Sequence, residues 1–253
     1  MTLLQPLSPV LFVGAGPGAA AHLTLGAWQA LQAADVVIHD RLVGAEIMAL
    51  IPARVRLVDV GKEGFAPSTG QAEINAALVA HALTGARVVR LKGGDPGIFG
   101  RLDEEIEALE ANGLPFTILP GLTSASVAAA AIGQSLTKRG RNAALRIVTG
   151  HDMAGFAEQD WRGLARAGEV AAIYMGKKSA RFIQGRLMMH GASPDTPVTL
   201  VENVSREGQR ILAATLATLP DTAARCDGPA IILFGLAPRA AALALTDLNE
   251  ATA

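Results

Sequence analysis

A short run, Ala86 to Leu91, stops on Gly93 and Gly94, with Asp95 and Pro96 directly behind them. Such a run reads as a strand buried in a parallel sheet. Paired glycines at its C-terminal end let a ligand approach backbone that a Cβ would otherwise shield. Ile98-Phe99-Gly100-Arg101 follows, and then an acid-rich helical pattern, Asp103-Glu104-Glu105-Ile106-Glu107. Acids in a first turn suit the positive end of the helix dipole. The loop between strand and helix is the expected floor of a ligand site.

The rest of the chain repeats this alternation. Strands are predicted at Val10 to Val13, Ala34 to His39, Arg54 to Val60, Arg87 to Leu91 and Pro115 to Leu119. Between them lie helical patterns at Leu23 to Ala34, opening with Thr24 as N-cap, at Ala45 to Leu50, stopped by Pro52, and at Gln71 to Leu83; Gly64 to Gly70 reads as a loop. Strand and helix in alternation imply a mostly parallel sheet. Pro120-Gly121-Leu122 is the expected hinge, giving α/β domains at residues 9–120 and 121–240. In the second, helices are expected at Thr123 to Ile132, Ala180 to His190 and Leu216 to Ala224. Its strands fall at Ala144 to Thr149, Val170 to Tyr174, Pro197 to Val201, Arg210 to Ala214 and Ile231 to Phe234. Strand follows strand between Pro197 and Ala214, so a mixed sheet is expected there.

Composition narrows the function. Net charge is -1 and aromatics are 4% of the 253 residues, whereas nucleic-acid proteins carry basic excess and stacking aromatics. One cysteine, Cys226, rules out a disulfide framework and any CxxC site, which suits a reducing cytoplasm. Neither a leader nor an apolar run of about 18 residues is evident, so neither secretion nor membrane insertion is expected. The five histidines are scattered singly, and no metal site is expected. The phosphate-binding Gly-x4-Gly-Lys-Ser/Thr, the Gly-x-Ser-x-Gly elbow and His-Glu-x-x-His are all missing.

Gly14-Ala15-Gly16-Pro17-Gly18 partly fits a dinucleotide fingerprint, with Ala19 in the third glycine's place and Asp40 about 24 residues on. A nicotinamide dehydrogenase is therefore the alternative reading. Pro17 opposes it by removing an N–H from the turn that should cradle the pyrophosphate. Two glycine-floored strand ends with few phosphate-binding bases beside them instead suit a cofactor not held by phosphates, such as S-adenosylmethionine.

Segments along nearly the whole chain carry a resemblance: Val13 to Gly18, Ala34 to Val43, Val60 to Lys62, Gln71 with Glu73 to Asn75, Val89 to Pro96, and Ile98 to Arg101 with Glu104 and Glu105. They continue with Pro120-Gly121, Thr123 to Ala125, Leu136-Thr137 with Arg139-Gly140, Tyr174 to Gly176, Asp195 to Val198, and Glu202-Asn203. The chain resembles the tetrapyrrole methylase family, and within it the uroporphyrinogen-III C-methyltransferases. That resemblance implies two α/β domains with the active site in the cleft between them, and a homodimer. It implies S-adenosylmethionine as cofactor, leaving as S-adenosylhomocysteine, bound by Pro17, Gly93, Gly94, Asp95, Ile98, Thr123, Ser124, Met175 and Val204. Asp40, Lys62, Arg101 and Glu104 match positions on the catalytic side, and Arg101 and Arg139 match substrate-binding ones. The implied reaction methylates carbons 2 and 7 of uroporphyrinogen III, giving precorrin-2 by way of precorrin-1.

The chemistry is coherent with such residues. An electron-rich pyrrole carbon attacks a sulfonium, so positioning does most of the work and no side-chain nucleophile is required. A bridging carbon must then lose a proton, and an ionised carboxylate such as Asp40 takes one near neutral pH without a large pKa shift. Polycarboxylate substrates want guanidinium forks, and 17 of the 22 basic residues are Arg. The chain departs from the family's usual residues at Ala19, Ala20, Glu63, Pro67, Gly97, Leu102, Asp103 and Lys138. These departures leave room for a non-catalytic tetrapyrrole-binding relative.

Overall fold

The structure is a computed structural model that describes residues 7–61, 70–152 and 155–240. Lys62, with Glu63, Pro67 and most of the expected loop before Gly70, lies outside the described residues. The chain divides into two compact units between Thr123 and Ser124.

The first unit alternates as the periodicity predicts. Strand β1 (Val10–Gly14) leads to α1 (Leu25–Ala33), β2 (Val36–His39), α2 (Ala45–Ala49) and β3 (Arg56–Asp59). There follow α3 (Gln71–Leu83), β4 (Val88–Lys92), α4 (Leu102–Glu110) and β5 (Phe116–Leu119). The five strands form one parallel sheet in the order β3-β2-β4-β1-β5. Every βαβ crossover buries a face, so strand residues of both parities are apolar. Val13, Val37, Val89 and Leu91 pack with Ala27, Leu31 and Ile47 on one side. Phe12, Ile38 and Val88 pack with Leu78 and Leu109 on the other.

Helix α1 starts two residues later than its apolar pattern predicts. Residues Ala20–His22 form a 3₁₀ turn, and the Thr24 side chain then accepts the Ala27 N–H at 3.1 Å as a true N-cap. Helix α4 follows Arg101, whose backbone is left-handed at φ 53°, and Asp103, Glu104 and Glu105 occupy its first turn.

The second unit holds α5 (Ser124–Ala131), β6 (Arg146–Thr149), the two-residue strands β7 (His151–Asp152) and β8 (Gly155–Phe156), and α6 (Trp161–Leu164). Next come β9 (Ala171–Tyr174), α7 (Ala180–Met189), β10 (Pro197–Glu202), β11 (Arg210–Thr215), α8 (Leu219–Ala224) and β12 (Ala230–Phe234). Its main sheet runs β11-β10-β12-β9-β6. Only the β6–β9 pair is parallel, so the sheet is mixed, as the strand-to-strand step at 197–214 implies. Helix α8 begins three residues late, because Leu216 N–H is committed to the Thr196 carbonyl at 2.8 Å. The β7–β8 ladder and α6 have no counterpart among the expected elements: two-residue strands are too short to show a period, and α6 depends on Asp160 capping Gly163 N–H at 2.9 Å. Among the described residues no helix is long and apolar enough to cross a membrane.

Candidate functional site

The strand order brings the two sequence-singled glycine turns side by side. Strands β1 and β4 are neighbours with Gly14 opposite Lys92, and the turns beyond them exchange backbone hydrogen bonds. Gly16 N–H donates to Gly94 O at 3.1 Å, and Gly94 N–H returns to Gly16 O at 2.7 Å. The loop after β5 completes the floor. A Cβ on Gly14 would collide with the backbone of Gly121, and one on Gly121 would collide with the Gly94 carbonyl and with Gly14. Three strand ends therefore touch through bare backbone at the C-terminal edge of the sheet, where ligands bind in parallel α/β folds.

Each paired glycine has a different job. A Cβ on Gly93 would lie 2.9 Å from both Cβ and O of Leu42, so its missing side chain makes room for the loop after β2. Gly94 has φ +73°, and a Cβ there would meet no atom within 4 Å apart from its chain neighbours. Gly94 is the glycine that faces open space. Asp95 ties the floor together, its Oδ1 accepting Gly97 N–H at 2.8 Å and its Oδ2 accepting Gly121 N–H at 3.0 Å. Both carboxylate oxygens are thus engaged in holding two loops in register. Pro17 is buried beside Gly16, and Ile98 is half-buried beyond the floor.

The same contacts argue against the dinucleotide alternative. Its pyrophosphate needs free turn N–H groups and a helix N-terminus immediately after the glycines. Here Ala15 N–H is bound to Lys92 O at 2.8 Å and Gly16 N–H to Gly94 O, and α1 begins only at Leu25.

Beside the floor stand the candidate acid and base groups. Asp40 follows β2, its Oδ1 accepting Leu42 N–H at 2.9 Å and its Oδ2 lying 3.9 Å from the Arg90 guanidinium. Arg101 and Glu104 form a bidentate pair, Nε to Oε1 at 2.7 Å and a second nitrogen to Oε2 at 2.6 Å. Arg101 holds the Glu104 carboxyl below its ordinary range through those hydrogen bonds. The pair is about half exposed.

Beneath them is a charged cluster the sequence reading did not single out. Arg90 and Lys92, on alternate residues of β4, are 3% and 4% exposed, and Glu105 of α4 is 1% exposed. Lys92 Nζ donates to both Glu105 oxygens at 2.9 Å, and Arg90 Nε donates to Oε1 at 3.1 Å. The available signal was two basic residues of equal parity inside an otherwise apolar strand.

In the second unit Ser124 begins α5, whose Ala125 N–H is held by the Tyr174 hydroxyl at 3.0 Å. Thr123 precedes it as the last residue of the first unit. Met175, after β9, is half exposed with φ 52°, and buried Val204, after β10, is flanked by Asn203 at 51° and Ser205 at 53°. With Phe99 and Arg101, these are the non-glycine residues of positive φ among the described residues. All lie in loops after β4, β9 or β10, and such strain concentrates where a fold binds ligands. Arg139 stands exposed in a loop braced by Asn142, whose side chain bonds Leu136 O at 3.0 Å and Ala144 O at 2.7 Å. Among the described residues no cluster of three or more His, Cys, Asp or Glu could hold a metal ion.

A parallel and a mixed α/β sheet in one chain is the fold of solved methyltransferases as well. A cobalt precorrin-4 methyltransferase shares the fold with TM-score 0.80 at 24% identity, covering 90% of this chain and 94% of that one. The family model for tetrapyrrole (corrin/porphyrin) methylases matches residues 9–220, and the chain belongs to that family. A uroporphyrin-III C-methyltransferase of Thermus thermophilus, solved with S-adenyl homocysteine, is 35% identical with TM-score 0.77, covering 90% of this chain and 97% of that one. A siroheme synthase of Edwardsiella ictaluri is 47% identical over 226 residues, 89% of this chain and 49% of the relative. Siroheme synthase 3 of Aeromonas hydrophila is 44% identical over 89% of this chain and 48% of its own length. The chain spans about half the length of the curated relatives it matches.

Proposed function

We propose that this chain is an S-adenosylmethionine-dependent C-methyltransferase that methylates carbons 2 and 7 of uroporphyrinogen III, giving precorrin-2 by way of precorrin-1. The observation that carries the reading is the floor at Gly14, Gly94 and Gly121, open above Gly94 and with its turn N–H groups already bound to neighbouring loops. Such a surface fits a cofactor without phosphates, and the methylated sulfonium of S-adenosylmethionine supplies the electrophilic methyl when bound. Gly93, Gly94 and Asp95 shape that floor, and Pro17, Ile98, Thr123, Ser124, Met175 and Val204 are the further positions assigned to the cofactor. The neighbour solved with S-adenyl homocysteine and the family match support this assignment.

Arg101 and Arg139 are assigned to the substrate's carboxylates, Arg101 by exchanging Glu104 for an acetate or propionate group. Asp40 is assigned as proton acceptor from the bridging carbon, its Oδ1 holding the Leu42 N–H and its side chain 29% exposed. Lys62 remains a candidate donor to a carboxylate on its sequence position alone. The names of the curated relatives favour siroheme synthesis as the destination of the product. The decisive experiment incubates the purified chain with uroporphyrinogen III and methyl-labelled S-adenosylmethionine. Two labelled methyl groups per tetrapyrrole, with the absorption of precorrin-2, are expected; tetrapyrrole binding without label transfer would instead identify a non-catalytic relative.

A further inference from the structure

Burying three charged side chains in the first unit is costly unless they serve something a hydrophobic core would not. Well-packed apolar residues usually replace buried ion pairs without loss of stability. Arg90, Lys92 and Glu105 carry two positive charges and one negative, so the buried group by itself retains a net positive charge. The charge that balances it is Asp40, 3.9 Å from Arg90 and 29% exposed at its side chain. Three members are sealed, and the fourth reaches the surface at the strand ends.

Each buried member also lies against, or belongs to, a segment that carries a residue assigned to the reaction. Arg90 donates to Leu91 O at 3.1 Å and to Ile38 O at 3.5 Å, the carbonyl two residues before Asp40. Lys92 lies against the loop before α4: a Cβ on Gly100 would meet the Lys92 Cε at 3.1 Å and collide with the Pro96 carbonyl. Glu105 sits in the first turn of α4, directly after Glu104, and the two hydrogen bonds it accepts from Lys92 tie that turn to the end of β4. Phe99 and Arg101, with their left-handed backbone, flank Gly100 over the same side chain.

We propose that Arg90, Lys92 and Glu105 are positioning residues for the site: Arg90 sets Asp40 at the end of β2, and the Lys92–Glu105 pair sets the turn that carries Arg101 and Glu104. For its kinetic consequence this rests on the methyltransferase reading above; for its structural one it does not.

The test is the double variant Lys92→Met/Glu105→Gln, which removes one charge of each sign and keeps the net charge of the buried group. Glu105→Gln alone leaves two buried cations without a carboxylate and is expected to melt markedly earlier, while the double variant recovers most of that loss. A purely stabilising role therefore predicts that the double variant regains the wild-type rate. The positioning role predicts that kcat for methyl transfer stays down between about tenfold and a hundredfold, the size of loss that misplacement near 1 Å brings. Affinity for S-adenosylhomocysteine should stay within about twofold of wild type. Amide exchange over residues 98–105 should be faster than in wild type. Wild-type kcat and wild-type exchange in the double variant would overturn the inference. If the unmodified protein transfers no methyl group, the reaction reading fails and exchange alone decides: acceleration at 98–105 sustains the inference, and no change overturns it. Should the double variant not fold, Arg90→Lys decides in its place. It keeps the charge but loses the fork that reaches Ile38 and Leu91, so lower kcat and faster exchange over 38–42 are expected, and their absence overturns the inference.

Discussion

Gly94→Ala separates the cofactor floor from the fold that carries it. At φ +73° an alanine pays for left-handed backbone, about 1–2 kcal/mol for a residue with a Cβ. That corresponds to a fall in Tm of roughly 2–8 °C in a protein of this size class. No steric cost is added, since the new Cβ meets nothing within 4 Å. What the methyl group does is enter the open side of the floor. If S-adenosylhomocysteine lies there, its Kd measured by calorimetry should rise at least about tenfold, or 1.4 kcal/mol. Gly113→Ala is the matched control: its φ is +65°, its Cβ direction is equally empty, and it sits in the turn after α4, before β5, away from the glycine loops. The same loss of Tm with unchanged Kd is expected there. Gly93→Ala is a third case, because its Cβ must displace the Leu42 backbone at 2.9 Å, so it should disturb the loop after Asp40 as well as binding. Equal losses of affinity in Gly94→Ala and Gly113→Ala, or wild-type affinity in Gly94→Ala, would refute the placement of the cofactor on Gly94.

The remaining expectations concern charge. Asp40→Asn keeps an acceptor for Leu42 N–H but cannot take a proton, so single-turnover methyl transfer should slow by about a hundredfold with cofactor affinity unchanged; a near-native rate removes Asp40 as the acceptor. Arg139→Ala should raise KM for the tetrapyrrole by about tenfold or more, the equivalent of one charge-assisted pair, without altering Kd for S-adenosylhomocysteine; a parallel loss of both would make Arg139 a structural residue. Burial first, and Arg90 second, hold the Lys92 ammonium below the ordinary lysine value, against the opposing pull of Glu105 and Asp40. Between its folded and unfolded values the folded chain binds fewer protons, so stability should rise with pH in that alkaline window. Urea midpoints should show that rise in wild type and lose it in Lys92→Met; identical slopes in the two would refute the assignment.

Much of the architecture was legible because it is local. The apolar strands, the position of Thr24 as cap and the acids at the start of α4 follow from nearest-neighbour periodicity and from which groups a helix end leaves unpaired. The parallel first sheet and mixed second sheet followed from whether a helix or another strand comes next. Helix starts at Leu23 and Leu216 were placed early, because Leu23 N–H bonds to Ala20 O and Leu216 N–H to Thr196 O, choices that apolar spacing does not encode. The two-residue strands β7 and β8 were too short to leave a pattern.

By itself the sequence determined where glycine follows strands such as β1, β4 and β5 and which acids and arginines come next, since those are properties of single positions and their neighbours. Only the tertiary structure decided that β4 and β5 flank β1, bringing Gly14, Gly94 and Gly121 into contact across more than a hundred residues of chain. It alone distinguished Gly93, which yields space to Leu42, from Gly94, whose Cβ direction is empty, and it turned Asp95 into a brace between loops. It also sealed Arg90 and Lys92 against Glu105. Whether a charge on a strand is solvated or buried depends on the helix packed over that face, and spacing along the chain cannot specify that helix's carboxylate.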